Sequence, residues 1–140
     1  MPFLHATVLR DEATHYLRAG HGGIFVDATL GGGGHAEALL AAHPAVRVIG
    51  IDRDPEALRA AGERLAAFAG RVCILHGNFA EVEQLAALCG GAHRVDGVLF
   101  DLGVSGPQLD EPLRGFSYQH EAPLDMRMDP EQETTAAVLV

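Results

Sequence analysis

Val26-Asp27-Ala28-Thr29-Leu30-Gly31-Gly32-Gly33-Gly34-His35 runs from an apolar strand through an aspartate into four consecutive glycines, and an alanine-rich helix follows. Consecutive glycines permit positive φ angles and remove every Cβ that would hold a ligand away from the main chain. The amides of a helix start point into the same space. A close, polar ligand of the nucleotide type suits such a loop. The spacing also fits the dinucleotide-binding pattern, with Gly31, Gly33 and Ala36 at the three small positions and Asp52 about 20 residues further on. A glycine-rich turn with no ligand has the same local sequence, so the rest of the chain has to decide between them.

Outward from this loop, strands and helices alternate. Asp11 to Ala19 reads as a helix stopped by Gly20 and Gly22-Gly23, Ile24 to Ala28 as a strand, and His35 to Ala42 as a helix ended by His43-Pro44. Arg47 to Asp52 is a second strand. Asp54 then caps a helix with Pro55 at its first position and Glu56 in its first turn, and Ala57, Leu58, Ala61, Leu65 and Phe68 mark a buried stripe that runs to Gly70. Val72 to Leu75, Val82 to Leu88 and Val95 to Leu102 complete a strand, a helix and a fourth strand. Alternation at this spacing predicts βαβ units and a parallel sheet.

Ligands of such sheets sit beyond the carboxyl ends of the strands. Here those ends carry Asp27, then Asp52, then His76-Gly77-Asn78-Phe79, then Asp101. A carboxylate at Asp52 can accept both hydroxyls of a ribose. Its competing role, flanking the next helix, is filled better by Asp54. Phe79 can lie flat on a purine with Asn78 supplying amide hydrogen bonds, or it can be a loop aromatic covering the sheet edge.

Composition describes one domain with a core. The 140 residues are 48% hydrophobic, and no apolar run approaches the roughly 20 residues of a membrane span. The start, Met1-Pro2-Phe3-Leu4-His5, has neither a basic leader nor a long apolar stretch, so a cytoplasmic location and no membrane partner are expected. Cys73 and Cys89 lack a CxxC companion; two reduced, largely buried thiols and no metal site are expected. All ten basic residues are arginines, against 19 carboxylates, for a net charge of -9. Such a balance disfavours non-specific nucleic-acid binding.

The segment after the fourth strand is the most distinctive: Asp101-Leu102-Gly103-Val104-Ser105-Gly106-Pro107-Gln108-Leu109-Asp110, then Arg114-Gly115-Phe116-Ser117-Tyr118 and Pro123-Leu124-Asp125-Met126-Arg127-Met128-Asp129-Pro130. With His5-Ala6-Thr7-Val8-Leu9 and Glu12, the glycine loop, Asp52-Arg53-Asp54-Pro55 and His76-Gly77-Asn78-Phe79, it closely resembles the bacterial 16S ribosomal RNA (cytosine-N4)-methyltransferase family along the whole chain. The resemblance implies an α/β, class I S-adenosylmethionine-dependent methyltransferase fold with S-adenosyl-L-methionine as cofactor and the small-subunit 16S rRNA as partner. It implies Gly33, Gly34, His35, Asp52, Phe79, Asp101 and Gln108 as cofactor-binding residues, with Asp27 a further contact. Asp101 and Ser105 are then the acceptors that hold the reacting amine.

Two departures stand out. The family usually has two serines before the proline, and the second is Gly106 here, which removes a hydroxyl and loosens the turn. Members of the family are also about twice as long, with a helical insertion and further strands, so residues 1–140 read as the amino-terminal, cofactor-binding part of the methyltransferase domain, with an unpaired edge at the fourth strand. The absence of a cysteine on the fourth-strand loop fits exocyclic-amine chemistry, since ring-carbon methylation of pyrimidines needs a thiolate. Arg114 and Arg127 are equally readable as phosphate contacts or as surface partners of Asp110 and Asp125. A nicotinamide-dependent oxidoreductase would explain the glycines and Asp52 but leaves Asp101 to Asp110 without a role. A non-catalytic cofactor-binding piece is the other alternative.

Overall fold

A computed structural model describes residues 6–90 and 94–140; His5 and the start of the chain, used above, lie outside the described residues. Four parallel strands, β1 (Gly23–Asp27), β2 (Val46–Asp52), β3 (Val72–His76) and β4 (Gly97–Leu99), lie in the order β3-β2-β1-β4. Helices α1 (Arg10–Tyr16), α2 (Gly34–Ala42), α3 (Pro55–Arg64) and α4 (Val82–Ala87) connect or precede them, and two short helices, α5 (Gly106–Asp110) and α6 (Ala136–Leu139), follow β4. The chain steps outward from β1 to β3 and then returns across β1 to β4. The reversal opens a crevice at the carboxyl ends of β1 and β4, where α/β sheets bind ligands.

Both faces of the sheet are covered, which is why its strands are apolar runs and not alternating ones. On one face Phe25, Val46 and Val48 pack with Leu39 and Leu40 of α2 and with Ala61 and Leu65 at the end of α3. On the other, Val26, Ile49 and Ile51 pack with Ala86 of α4. Phe25 and Val26 thus serve opposite faces, as the two-residue strand period demands. The Asp54 cap is present, its carboxylate accepting from the Glu56 amide at 3.0 Å with Pro55 at the first helical position.

The structure changes several expectations at the margins. The third helix ends at Arg64 and continues only as a 3-10 turn, Ala66–Phe68. The fourth strand shrinks from the expected Val95 to Leu102 to Gly97–Leu99, because Asp96 turns its carboxylate back onto the Ile24 amide at 2.8 Å and the Asp101 amide leaves the ladder for the Thr29 hydroxyl at 2.7 Å. Beyond it, Phe100 is half exposed along the outer edge of the sheet. Cys73 and Cys89 are not the reduced thiols expected. They form a disulfide, because β3 and the end of α4 bring their Cα atoms to 6.2 Å.

Candidate functional site

The glycine loop takes its shape from backbone freedom. Gly31 and Gly33 have φ of +53° and +86°, and Gly33 is the residue from which α2 starts. A Cβ on Gly34 would collide with the Thr7 hydroxyl. The loop and the tips of β1, β2 and β4 enclose a crevice of about 610 Å³, lined among others by Gly34, His35, Asp52, Phe79, Asp101 and Gln108. That volume suits a nucleoside-sized ligand. A larger hollow of about 1060 Å³, bordered by α1 and α2, lies away from the strand ends and has no glycine loop.

Asp52 lines the crevice at the tip of β2. One of its oxygens accepts from the Gly31 amide at 2.7 Å and the other from the Asp54 amide at 2.9 Å. The carboxylate is therefore held rigidly at loop height, and burial pushes its pKa above the usual value against the pull of those amides. Asp27 lies at the end of β1 and is fully buried. One oxygen accepts from the Thr29 amide at 3.3 Å, and the other has no hydrogen-bond partner among the described residues. Burial, and then the negative charges of Asp52 and Asp101, push its pKa up to about 7.

The remaining expected site residues fall into two groups. Gly33, Gly34, His35, Phe79 and Asp101 come together at the crevice, apart from Gly33, which packs on Leu65 just behind it. His35 is buried with Nε2 at 2.8 Å from the Val8 carbonyl, and its Nδ1 stands 3.9 Å from Asp101. Phe79 meets Phe100 in a T-shaped contact with ring centroids 5.8 Å apart, and it is partly exposed where it lines the crevice. The Asn78 side-chain oxygen accepts from the Ala80 amide at 2.9 Å, which leaves its NH2 group as the donor on offer.

Ser105 and Gln108 are less free than the sequence suggests. They form a capping box, the Ser105 hydroxyl accepting from the Gln108 amide at 3.3 Å and the Gln108 side-chain oxygen accepting from the Ser105 amide at 3.0 Å. Gln108 also donates to Asp54 at 2.9 Å. Gly106, the departure from the family serine, is the first residue of α5, and the turn holds through this box without the second hydroxyl.

Several contacts were not readable beforehand. Arg114 does not pair with Asp110. Its guanidinium donates to Asp54 and to the Met128 carbonyl, both at 2.9 Å. Arg127 does pair with Asp125, at 2.7 and 2.9 Å, which holds the Asp125 carboxyl down at about 2. His76 Nε2 lies 3.1 Å from both Asp129 and the Arg53 carbonyl. His76, Asp129 and Glu131 form a group with metal-ligand atoms within 4.8 Å of one another. A proton on Nε2 shared between two acceptors accounts for the His76 contacts, and a cation would have to displace it.

Gly115 closes this tail. At φ +74° a Cβ would stand 2.5 Å from the Pro123 carbonyl and 2.9 Å from the Asp125 amide, both main-chain atoms. Gly115→Ala is expected to cost about 1–2 kcal/mol from the left-handed backbone alone. It should free residues 112–130 to cleavage, with β2 still intact. A urea midpoint and cleavage map unchanged from the parent would refute this.

Strand order, crevice and glycine loop together define a class I S-adenosylmethionine-dependent methyltransferase fold, and S-adenosyl-L-methionine is the cofactor of that class. Residues 2–140 match the model of the MraW methylase family, and the chain belongs to that family. It is 51% identical over 138 residues to ribosomal RNA small subunit methyltransferase H of Synechococcus elongatus, covering 99% of this chain and 45% of that protein. The protein of the same name from Saccharopolyspora erythraea is 60% identical over 115 residues, 81% of this chain and 34% of the relative. The chain thus spans less than half the length of these relatives. Among solved structures, a methyltransferase from Geobacter sulfurreducens aligns with a TM-score of 0.47 at 19% identity, over 59% of this chain and 43% of that one. Among the described residues, no helix is long and apolar enough to cross a membrane.

Proposed function

We propose that the crevice binds S-adenosyl-L-methionine and that the protein of the relatives' length transfers its methyl group to the exocyclic N4 amine of a cytidine in small-subunit 16S rRNA. The observation that carries this reading is the position of Asp101. It leaves β4 beside the glycine loop, its amide bonded to Thr29 and its carboxylate half exposed toward the crevice. In this reading Gly33, Gly34 and His35 form the cradle, Asp52 holds the ribose and the exposed part of Phe79 takes the adenine. Gln108 closes the crevice, and Asp27 lies beneath it.

The cofactor supplies an electrophilic methyl on a sulfonium. The protein's part is positional. A cytosine amine is a poor nucleophile because its lone pair is delocalised into the ring, so the base has to be held in line and its N–H groups accepted as charge develops. The Asp101 carboxylate accepts one N–H and takes up the proton lost on transfer. Ser105 retains one lone pair beyond its capping bond for the other.

Small ribosomal subunits incubated with methyl-labelled S-adenosylmethionine and digested to nucleosides test this. The relative-length protein is expected to yield N4-methylcytidine, and Asp101→Asn to lower the rate about 100-fold, the range for a removed proton acceptor. The 140 residues alone are expected to yield none, since a net charge of -9 gives RNA little to hold. Label on a ring carbon, or an unimpaired Asp101→Asn protein, would overturn the reading.

A further inference from the structure

Asp54 has a carboxylate oxygen more than its helix requires. Oδ1 alone caps α3, through the Glu56 amide. Oδ2 is buried and accepts from two donors that come from far along the chain, Gln108 Nε2 and Arg114 Nη2, both at 2.9 Å. The same Arg114 nitrogen reaches the Met128 carbonyl, and Met128 lines the crevice.

These bonds continue in both directions. The Asp54 amide donates to Asp52, which in turn accepts from Gly31 of the glycine loop. On the other side, Gln108 accepts from the Ser105 amide and donates its own amide to the Ser105 hydroxyl. An unbroken series of hydrogen bonds therefore runs from Gly31 through Asp52, Asp54 and Gln108 to Ser105, with Arg114 neutralising its one fully buried carboxylate. Helix α5 has only five residues, too few to hold its shape unaided. Its geometry is borrowed from Asp54.

We propose that Asp54 and Arg114 are positioning residues, coupling the carboxylate of Asp52 to the Ser105 turn so that a ligand seated on Asp52 sets the loop that faces the acceptor. The proposal rests on the reading of Asp52 as the ribose ligand and of the 101–108 loop as the acceptor side. Neither Asp54 nor Arg114 touches the reacting atoms. They act through Gln108, and removing either partner of the buried charge pair leaves the other uncompensated.

Residue-resolved hydrogen exchange on the 140-residue chain tests the coupling without reference to catalysis. In the ligand-free chain, Arg114→Ala is expected to speed exchange at the Ser105 and Gln108 amides about tenfold or more while Val48 and Ile49 in β2 stay within about twofold. Arg114→Lys, whose ammonium can still reach Asp54, should restore most of that protection. Asp52→Ala is the decisive variant. Among the described residues Asp52 makes no hydrogen bond to the loop, yet its loss should speed the same two amides, which a purely local role for Arg114 does not predict. Unchanged loop amides in Asp52→Ala, or loss of β2 protection in step with the loop in Arg114→Ala and Arg114→Lys alike, would overturn the proposal. S-adenosylhomocysteine should further slow Ser105 and Gln108 in the parent and not in Arg114→Ala. A parent chain that fails to bind it would strike the cofactor-site reading alone, because the ligand-free exchange already decides the coupling.

Discussion

Asp27→Asn is expected to make the domain more stable at neutral pH and to flatten its dependence on pH between about 4 and 7. The Asp27 pKa is raised to about 7 in the fold, from 3.8. Between those values the folded chain holds a proton that the unfolded chain has released, so stability falls as pH rises. The contribution is fully present below the unfolded pKa and is lost as pH climbs through the folded one. At about 1.4 kcal/mol per pH unit for one proton, the ceiling over this window is about 4 kcal/mol. Asparagine keeps the acceptor for the Thr29 amide and imitates the protonated acid. Urea midpoints from pH 4.5 to 7.5 measure the slope. Asp52, also raised, contributes in the same direction in parent and variant alike. Asp125 acts oppositely and only near the bottom of the acid range, since its pKa is held at about 2. An asparagine variant with the parent's slope would place the proton elsewhere.

Asp52→Ala is expected to weaken S-adenosylmethionine by about 1.5–3 kcal/mol, the range for a charged hydrogen-bonding group left unmade, which is about 10- to 150-fold in the dissociation constant. The fold should persist, since the strand around Asp52 is buried by Ile49 and Ile51 and not by the carboxylate. Competition calorimetry against S-adenosylhomocysteine reads the affinity, and nicotinamide dinucleotides are expected not to compete. An unchanged constant would move the ribose contact to another group, and tight nicotinamide binding would defeat the methyltransferase reading of the crevice.

Local chemistry was legible in the sequence and distant pairing was not. The glycine loop, the Asp54 cap and the carboxylates Asp27 and Asp52 at the ends of β1 and β2 each depend on neighbours within a few residues and appear where the pattern puts them, whereas Asp101 stands two residues past the shortened β4. Arg114 illustrates the opposite case. Its partner Asp54 is 60 positions away, and nothing near Arg114 distinguishes it from an arginine facing solvent or phosphate. His76 with Asp129 and Cys73 with Cys89 were hidden for the same reason. Arg71 carries no local sign of its role, although its guanidinium gathers the carbonyls of Leu40, His43, Pro44 and Val46 and closes the end of α2. Ser105, Gln108 and Asn78 were recognisable as polar residues at the right place. Their commitment to capping bonds depended on turn geometry that a single sequence only partly specifies.

The strand order also sets a timetable for synthesis. Gly23 pairs with Val46, 23 positions later, whereas Phe25 meets Gly97 only after 72. Contacts between residues close in sequence form fast, and those across long stretches form slowly. As the chain leaves the ribosome from its amino end, β1, β2 and β3 can assemble while β4 is still unmade. The glycine loop and Asp52 then exist before Asp101 does. A nascent chain halted after about residue 90 would carry the Asp52 side of the crevice without the Asp101 side, and its hydrophobic strand β1 would wait with one edge open until β4 arrived to close it.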